Sequence, residues 1–210
     1  MIPDLPVVME ELSKLILQSF KDLQGCADAG IGRLHIPGDT LDNKRISEQE
    51  LRFLFVEEFL SCPYFAEYQY SVETPTEYRY LFSDKSGKFS PVCVVNNDSG
   101  RRANIDCCIY KGNKRIAIIE FKANNPGDFE HAKDFVKLGS EPGEDLIRFF
   151  VEVYKHTDDS TLHNIHEKLY ANKYVNIFNN TAFIGYSLNH KGDHSGKRIF
   201  CREEDKITIV

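Results

Sequence analysis

The sequence predicts an α/β fold with a central mixed sheet flanked by helices. Three observations support this prediction: a hairpin-like apolar segment at residues 101–124, an amphipathic helical pattern before it at 48–60, and a helix-forming segment directly after it at 128–138. A helix that follows a strand carries the chain back across the sheet, so parallel strands are expected beside the antiparallel hairpin. The 210-residue length is enough for one domain with a full hydrophobic core.

The N-terminal segment predicts an additional helix over residues 4–24. Its apolar residues recur at helical spacing, at Val8, Leu12, Leu15, Ile16, Phe20 and Leu23. Such a helix either packs on the core or forms a contact in a dimer. Residues 25–46 carry scattered Gly, Asp and Pro, which predicts a long loop.

The second predicted helix runs from Glu48 to about Leu60. Ser47 and Glu50 form a Ser-x-x-Glu capping box at its start. On a helical wheel Glu48 lies on the buried face, whereas Glu50 and Glu57 lie on the far side. Glu48 is therefore the first-turn acid that faces the protein, and Glu50 and Glu57 are expected to be solvated. The alternative is that Glu48 only interacts favourably with the helix dipole.

Two segments before the hairpin are predicted as strands that pair with each other. They are Tyr68–Glu73 and Glu77–Phe82, and a further short strand is expected around Val92–Val95.

The hairpin itself is the most informative segment of the chain. Asn104–Tyr110 alternates and is rich in β-forming residues, Gly112 and Asn113 form a turn pair, and Arg115–Phe121 is apolar and β-branched. Ionisable residues interrupt this apolar pattern at Asp106, Glu120 and Lys122.

These three residues suggest a divalent-metal site with a basic helper. A charged side chain in a central strand is costly to bury unless it is paired, hydrogen-bonded or bound to metal. Glu120 and Lys122 point to the same face of their strand. A two-residue turn would pair Asp106 with Ile119 and turn Glu120 to the other face. A three-residue loop of Gly112–Lys114, or a β-bulge, is needed to set Asp106 opposite Glu120.

The remaining segments extend the pattern to the C-terminus. Asp128–Leu138 is expected to form a helix capped by Asp128, and His131 and Lys133 lie on it. The other expected elements are helices at Glu144–His156 and Thr161–Tyr170, and strands at Thr181–Leu188, Arg198–Cys201 and Lys206–Val210.

The hairpin motif resembles the PD-(D/E)xK nuclease superfamily. Asp106, then a spacer, then Glu120-x-Lys122, within NID and IIEFKAN, has the pattern of that superfamily. The sequence around it is similar to the N-terminal nuclease domain of type I restriction motor subunits. The resemblance implies a restriction-endonuclease-like αβββαβ core, here with an extra N-terminal helix. A helix before the sheet supplies an acid in that family, which nominates Glu48, with Glu50 as the fallback. Arg52 matches a basic position without an assigned role. The family often has a polar residue on the helix after the hairpin, for which His131 and Lys133 are the lower-ranked candidates.

The resemblance also implies a mechanism. Asp106, Glu120 and the backbone carbonyl of Phe121 would bind Mg²⁺ or Mn²⁺, Glu48 would hold a second metal or its water, and Lys122 would orient the attacking water. The implied activity is a metal-dependent endonuclease acting on nucleic acid, which we expect to be DNA. The implied setting is restriction or defence, with a homodimer or a larger complex as the assembly.

Composition constrains these expectations. The net charge is −6 and the pI is about 5.7, which argues against broad electrostatic coating of nucleic acid but leaves room for a local basic groove. Basic residues occur around the hairpin, where they either form a solvated strand end or contact phosphate; they are Arg101, Arg102, Lys111, Lys114 and Arg115.

The cysteines and the N-terminus predict a cytoplasmic protein that does not enter a membrane. The six Cys contain no Cys-x-x-Cys pair, and Cys107 and Cys108 should face opposite sides of a strand. No signal peptide or membrane-spanning segment is visible. A zinc site from two histidine pairs is a minor alternative, from His163, His166, His190 and His194.

The expected organisation is one nuclease-like domain over residues 1–210. Residues 1–46 would form the N-terminal helix and loop, 47–138 the core with the metal site, and 139–210 the C-terminal helices and strands. Two other interpretations compete with the nuclease. The fold could be kept as a non-catalytic module that binds nucleic acid or protein, or the motif could be accidental, with Glu120 and Lys122 forming an ordinary ion pair.

Overall fold

The structure is a computed structural model that describes residues 4–30, 32–83, 86–94, 99–124, 127–158, 160–161, 164, 181–191, 196–203 and 206–209. Within these ranges the chain forms an α/β fold, as predicted. The α-helices are α1 (Leu5–Ala29), α2 (Glu48–Ser61) and α3 (Asp128–Ser140), and a 3₁₀ turn spans Pro63–Phe65. The strands are β1 (Gln69–Ser83), β2 (Phe89–Val94), β3 (Arg101–Lys111), β4 (Lys114–Ala123), β5 (Ile147–Thr157), β6 (Ala182–His190), β7 (Gly196–Glu203) and β8 (Lys206–Ile209).

The described strands form one mixed sheet in the order β2-β1-β3-β4-β5-β6-β7-β8. The first four strands in this order, β2, β1, β3 and β4, pair antiparallel. Helix α3 then carries the chain across the sheet, and β4, β5 and β6 run parallel. The last strands return to antiparallel pairing. The predicted combination of an antiparallel hairpin with parallel neighbours is confirmed.

Hydrophobic residues pack on both faces of the sheet. Helices α1 and α2 cover one face, where Phe55 of α2 packs on Phe121 of β4 with ring centroids 5.6 Å apart. Helix α3 covers the other face, where Phe135 packs on Phe150 at 4.6 Å. Because neighbouring residues of a strand point to opposite faces, β3 and β4 contribute alternate side chains to the two layers.

The hairpin register is set by a β-bulge. Lys111 pairs with Lys114 around a two-residue turn, but the pairing shifts by one residue beyond Tyr110 and Arg115. Cys107 consequently pairs with Ile119, which brings the next residues, Asp106 and Glu120, to the same level. The bulge was one of the two arrangements that the predicted site required. The three-residue loop, the other arrangement, is not formed.

The prediction of two paired strands at Tyr68–Glu73 and Glu77–Phe82 is wrong, because both segments belong to the single strand β1. The residues between them form an irregularity in the pairing with β3 rather than a hairpin turn. The carboxylate of Glu141 accepts the backbone N–H groups of Glu77 and Tyr78, at 2.9 and 3.2 Å. This carboxylate satisfies the N–H groups that the irregularity leaves without a strand partner.

The prediction of a helix at Glu144–His156 is also wrong, because residues Ile147–Thr157 form strand β5. Phe149, Phe150, Val151 and Val153 are fully buried. A parallel strand buried on both faces has a nearly continuous apolar run, and such a run also satisfies a helical pattern.

The other predicted elements agree with the structure apart from their ends. The N-terminal helix continues to Ala29, so the predicted loop at 25–46 is shorter than expected. Helix α3 begins at Asp128 with Gly127 at its N-cap, so Asp128 is not the cap. Strands β6, β7 and β8 lie where the sequence predicted them. The expected helix at Thr161–Tyr170 and the histidine zinc site fall largely outside the described residues.

The capping box of α2 gives a test of how the cleft-lining end of this helix is fixed. The side chain of Ser47 caps the helix, and Glu50 accepts the Ser47 backbone N–H at 2.8 Å. We expect Ser47→Ala to lower the free energy of unfolding by about 1 kcal/mol, because one N–H group of the first turn loses its partner. Ser13→Ala is the matched control, since this hydroxyl only bonds the preceding turn of α1. Urea unfolding measures both, and an equal change in the two variants would contradict the capping role.

Candidate active site

The four predicted catalytic residues meet in one cleft between the sheet and α3. The cleft has a volume of about 380 Å³ and is lined by Glu48, Asp106, Glu120 and Lys122 together with residues of α3. The four side chains come from α2, β3 and β4. They converge because the hairpin bulge brings Asp106 level with Glu120 and α2 packs against β4.

Asp106 lies at the point where the β3–β4 pairing ends, one residue beyond Cys107. One of its carboxylate oxygens, Oδ2, accepts the backbone N–H of Phe121 at 2.8 Å. Its other oxygen, Oδ1, is 4.0 Å from the guanidinium of Arg52, and the side chain is 16% exposed. Asp106 therefore presents an oxygen to the cleft while its orientation is fixed by the neighbouring strand.

Glu120 lies at the floor of the cleft and is almost completely buried. Its Oε1 atom is 2.7 Å from the ammonium nitrogen of Lys137. Burial raises the pKa of Glu120 well above its ordinary value, and the nearby Asp134 and Asp106 raise it further, although Lys137 opposes the shift. The folded protein thus holds Glu120 in an environment that resists its ionisation.

Lys122 points to the same cleft and is held between two acids. Its ammonium is 2.8 Å from Asp134 and 3.6 Å from Glu48. Burial alone would lower the pKa of Lys122, but the adjacent carboxylates outweigh burial and raise it. Lys122 is therefore a firmly protonated cation.

Asp134 of α3 joins the two lysines. Its two oxygens lie 2.7 Å from Lys137 and 2.8 Å from Lys122. Burial opposes ionisation of Asp134, but the two ammonium groups lower its pKa below the ordinary value of 3.8. We call the sequence Glu120, Lys137, Asp134, Lys122 the carboxylate–lysine chain. Each of its inner members is paired on both sides, as buried charges require.

The two candidate acids of α2 have different surroundings. Glu50 is taken up by the capping box, whereas Glu48 lines the cleft beside Lys122. Arg52, which had no predicted role, lies on the same helix and is largely buried. It contacts Glu73 at 2.5 Å and approaches Asp106. Arg52 thus links α2 to the hairpin beside the candidate ligand.

The remaining predicted site residues are not all at the cleft. His131 is buried and hydrogen-bonds Glu152 at 2.9 Å, whereas Lys133 lines the cleft. The backbone N–H of Phe121 donates a hydrogen bond to Asp106. The Phe121 side chain packs in the core on Phe55. A ligand role for the Phe121 carbonyl stays a prediction.

The predicted basic cluster around the hairpin divides into two groups. Arg101 and Arg102, at the start of β3, line the cleft. Lys111 and Lys114 lie at the turn, about 30 Å away along the strand. Lys114 contacts Asp145 at 3.1 Å, and Arg115 contacts Glu141 at 3.0 Å. Only the first group can contact a molecule bound in the cleft.

Sequence reasoning missed Asp134, Lys137 and Phe82, which also line the cleft. A signal was present for the first two. Asp134 and Lys137 are three residues apart and lie among the core positions Phe135 and Leu138 of the amphipathic helix α3. Charged residues at buried helix positions need partners, and facing strands with opposite charges could have supplied them.

The donors fit a hard divalent cation. Asp106 and Glu120 supply two carboxylates on adjacent strands, and Mg²⁺ is usually bound by one or two carboxylates together with water and substrate phosphates. Among the described residues no three His, Cys, Asp or Glu side chains form a ready-made metal cluster. A cation at Glu120 would compete with the ammonium of Lys137, which now neutralises that carboxylate.

Comparison of the chain with protein-family models, with curated proteins and with solved structures finds no match. In the described part of the chain, none of the helices combines the length and apolar character needed to cross a membrane.

The opposite pKa shifts of Glu120 and Asp134 predict opposite dependences of stability on pH. A raised carboxyl pKa stabilises the folded protein below the ordinary value of 4.5, and the contribution is lost as the pH rises through the raised pKa. The free energy of unfolding of the wild type, relative to Glu120→Gln, should therefore fall as the pH rises above 4.5.

Asp134→Asn is the counterpart. Because the pKa of Asp134 is lowered, the advantage of the wild type over this variant should fall as the pH drops below 3.8. Urea unfolding from about pH 3 to about pH 8 measures both differences. The same direction of change in both variants would contradict the pairing described for the carboxylate–lysine chain.

Proposed function

We propose that this protein is a metal-dependent nuclease that hydrolyses phosphodiester bonds, acting as a DNA endonuclease in restriction or defence. The observation that carries the proposal is the convergence of Asp106, Glu120, Lys122 and Glu48 in one cleft. The bulge that brings Asp106 level with Glu120 supports it further, because the motif requires that register.

The order of the elements also supports the proposal. Helix α2, strands β1, β3 and β4, helix α3 and strand β5 follow one another as αβββαβ, with β2 added at the edge beside β1. Three antiparallel strands followed by a parallel strand across a helix is the arrangement expected from the resemblance to PD-(D/E)xK nucleases.

Asp106 and Glu120 would hold Mg²⁺ or Mn²⁺. When bound, the metal would lower the pKa of water and stabilise negative charge on the phosphoryl oxygens. Asp106 is oriented for this role by the N–H of Phe121. Glu120 must be ionised to bind, and because its pKa is raised, metal binding would be favoured at higher pH.

Lys122 would act on the substrate side of the cleft. Its ammonium stays protonated, so it can donate hydrogen bonds to a phosphate oxygen or to the attacking water, and it can stabilise the charge that develops in the transition state. Asp134 of α3 fixes the position of the Lys122 ammonium through an ion pair of 2.8 Å. Glu48, at 3.6 Å on the other side, would hold a water or a second cation.

One observation favours the alternative of a non-catalytic binding module. Glu120 already has a cation partner in Lys137, and the carboxylate–lysine chain is paired throughout. In that case the carboxylate–lysine chain would stabilise the fold, and the cleft would bind nucleic acid or a protein without cutting it.

Cleavage of plasmid and single-stranded DNA with Mg²⁺ or Mn²⁺ tests the proposal. We expect metal-dependent cutting by the wild type and a loss of at least about 100-fold in Asp106→Ala, Glu120→Ala and Lys122→Ala, because each removes a metal ligand or a charge that stabilises the transition state. Calorimetry should show metal binding that Asp106→Ala abolishes and Lys122→Ala retains.

The matched controls are Glu10→Ala and Lys114→Ala, an acid and a lysine in exposed ion pairs outside the cleft lining. Both should cut at the wild-type rate. Metal binding without cutting would show that the proposed substrate is wrong, and the proposed metal site would still stand. If the folded wild type neither binds metal nor cuts DNA, the non-catalytic module is the better account.

A further inference from the structure

An aromatic ring lies among the cations of the cleft. Phe82, near the end of β1, is half-buried and lines the cleft together with Arg101 and Lys133. The Arg101 guanidinium lies over the Phe82 ring at 5.4 Å from its centroid, and the Lys133 ammonium lies over it at 5.7 Å. The buried Tyr80 stacks nearly parallel to the same ring at 6.3 Å. Phe82 is therefore an aromatic side chain in the cleft wall with two cations over its ring.

The cleft as a whole is not acidic, in contrast to the chain. Its lining contains five acids and five bases: Glu48, Glu73, Asp106, Glu120 and Asp134 against Arg101, Arg102, Lys122, Lys133 and Lys137. The acids of the floor are paired with Lys122 and Lys137. In the described ranges, Arg101 and Arg102 have no ion-pair partner within 4.0 Å, and both are exposed. The uncompensated positive charge thus lies beside Phe82.

A ring next to exposed arginines suits one kind of ligand. Nucleobases stack on aromatic side chains whatever their sequence, while lysine and arginine contact the phosphates between them. A base inside a duplex is covered on both faces by its neighbours, so only an unpaired base can stack on Phe82. The cleft volume of about 380 Å³ is in the range that holds a small ligand rather than a double helix.

We propose that the cleft takes an unpaired strand, with one base stacked on Phe82 and its phosphates on Arg101, Arg102 and Lys133. This inference rests on the proposed nuclease function and deepens it. The substrate is then single-stranded nucleic acid, or a duplex end, flap or opened segment, instead of an intact double helix. Phe82 is a binding residue that sets this preference, and it does not take part in the bond cleavage.

The chain contains no Trp, which allows a direct test. Phe82→Trp places a single indole at the stacking position, and Tyr68→Trp places one at a matched position. Tyr68 also carries a lysine over its ring, Lys111 at 4.7 Å, but it does not line the cleft. Each variant is titrated, with EDTA present to prevent cleavage, with an oligothymidylate of about 12 nucleotides and with the same strand in a duplex with oligodeoxyadenylate.

We expect the single strand to quench the indole fluorescence of Phe82→Trp and not that of Tyr68→Trp, because only a base stacked in the cleft reaches the indole. In a separate binding assay with a labelled strand, Phe82→Leu should bind the single strand about tenfold more weakly and the duplex within about twofold of the wild type. Circular dichroism checks that both Phe82 variants are folded.

The outcomes separate the inference from the function on which it rests. Equal affinity for both probes, with no quenching at position 82 and no effect of Phe82→Leu, would overturn the unpaired-strand inference and leave the nuclease proposal standing. Failure of the folded wild type to bind either probe, with or without Ca²⁺ in place of EDTA, would overturn both. Quenching together with weaker single-strand binding by Phe82→Leu supports the inference even if no cutting is seen.

Discussion

The structure around the cleft depends on buried ion pairing between α3 and the hairpin. Two ammonium groups, Lys122 and Lys137, lie within 2.8 Å of carboxylates that are about 1% exposed. Buried charges in a folded protein are tolerated only when each has a partner, and such pairs stabilise less than apolar packing would. Buried charges that are grouped in a cleft in this way are the kind of feature from which a functional site is inferred.

The same pairing explains why the site is formed by the fold and not by the hairpin alone. Asp106 and Glu120 are brought level by the bulge, but the charge of Lys122 is directed by Asp134 of α3. Helix α3 can dock only where the chain crosses from β4 to β5. The antiparallel half of the sheet therefore supplies the candidate ligands, and the parallel crossover supplies the residues that position them.

Local patterns in the sequence were sufficient to predict some elements of the fold and of the candidate site, and insufficient for others. The hairpin and the capping box of Ser47 were predictable, because strand periodicity and cap chemistry are local. The bulge was only one of two arrangements that the predicted site required, and the sequence did not decide between it and a three-residue loop. Strand β5 was predicted as a helix, since its apolar residues satisfy both periods. Asp134 and Lys137 were missed because their partners are distant in sequence, and a helix read alone does not show which charges it will meet.

The position of the bulge also constrains how the chain can change in length during evolution. Residues added at Gly112 and Asn113 lengthen an exposed turn and leave the pairing of Cys107 with Ile119 intact. Loss of the extra residue between Arg115 and Ala117 would remove the bulge and still leave Ala117 opposite Ile109. Loss of one residue further along β4, between Ala117 and Glu120, would shift Glu120 by one position against Asp106 and turn it to the opposite face of the sheet. A one-residue change in length would thus be tolerated at the turn. The same change further along β4 would be incompatible with the site.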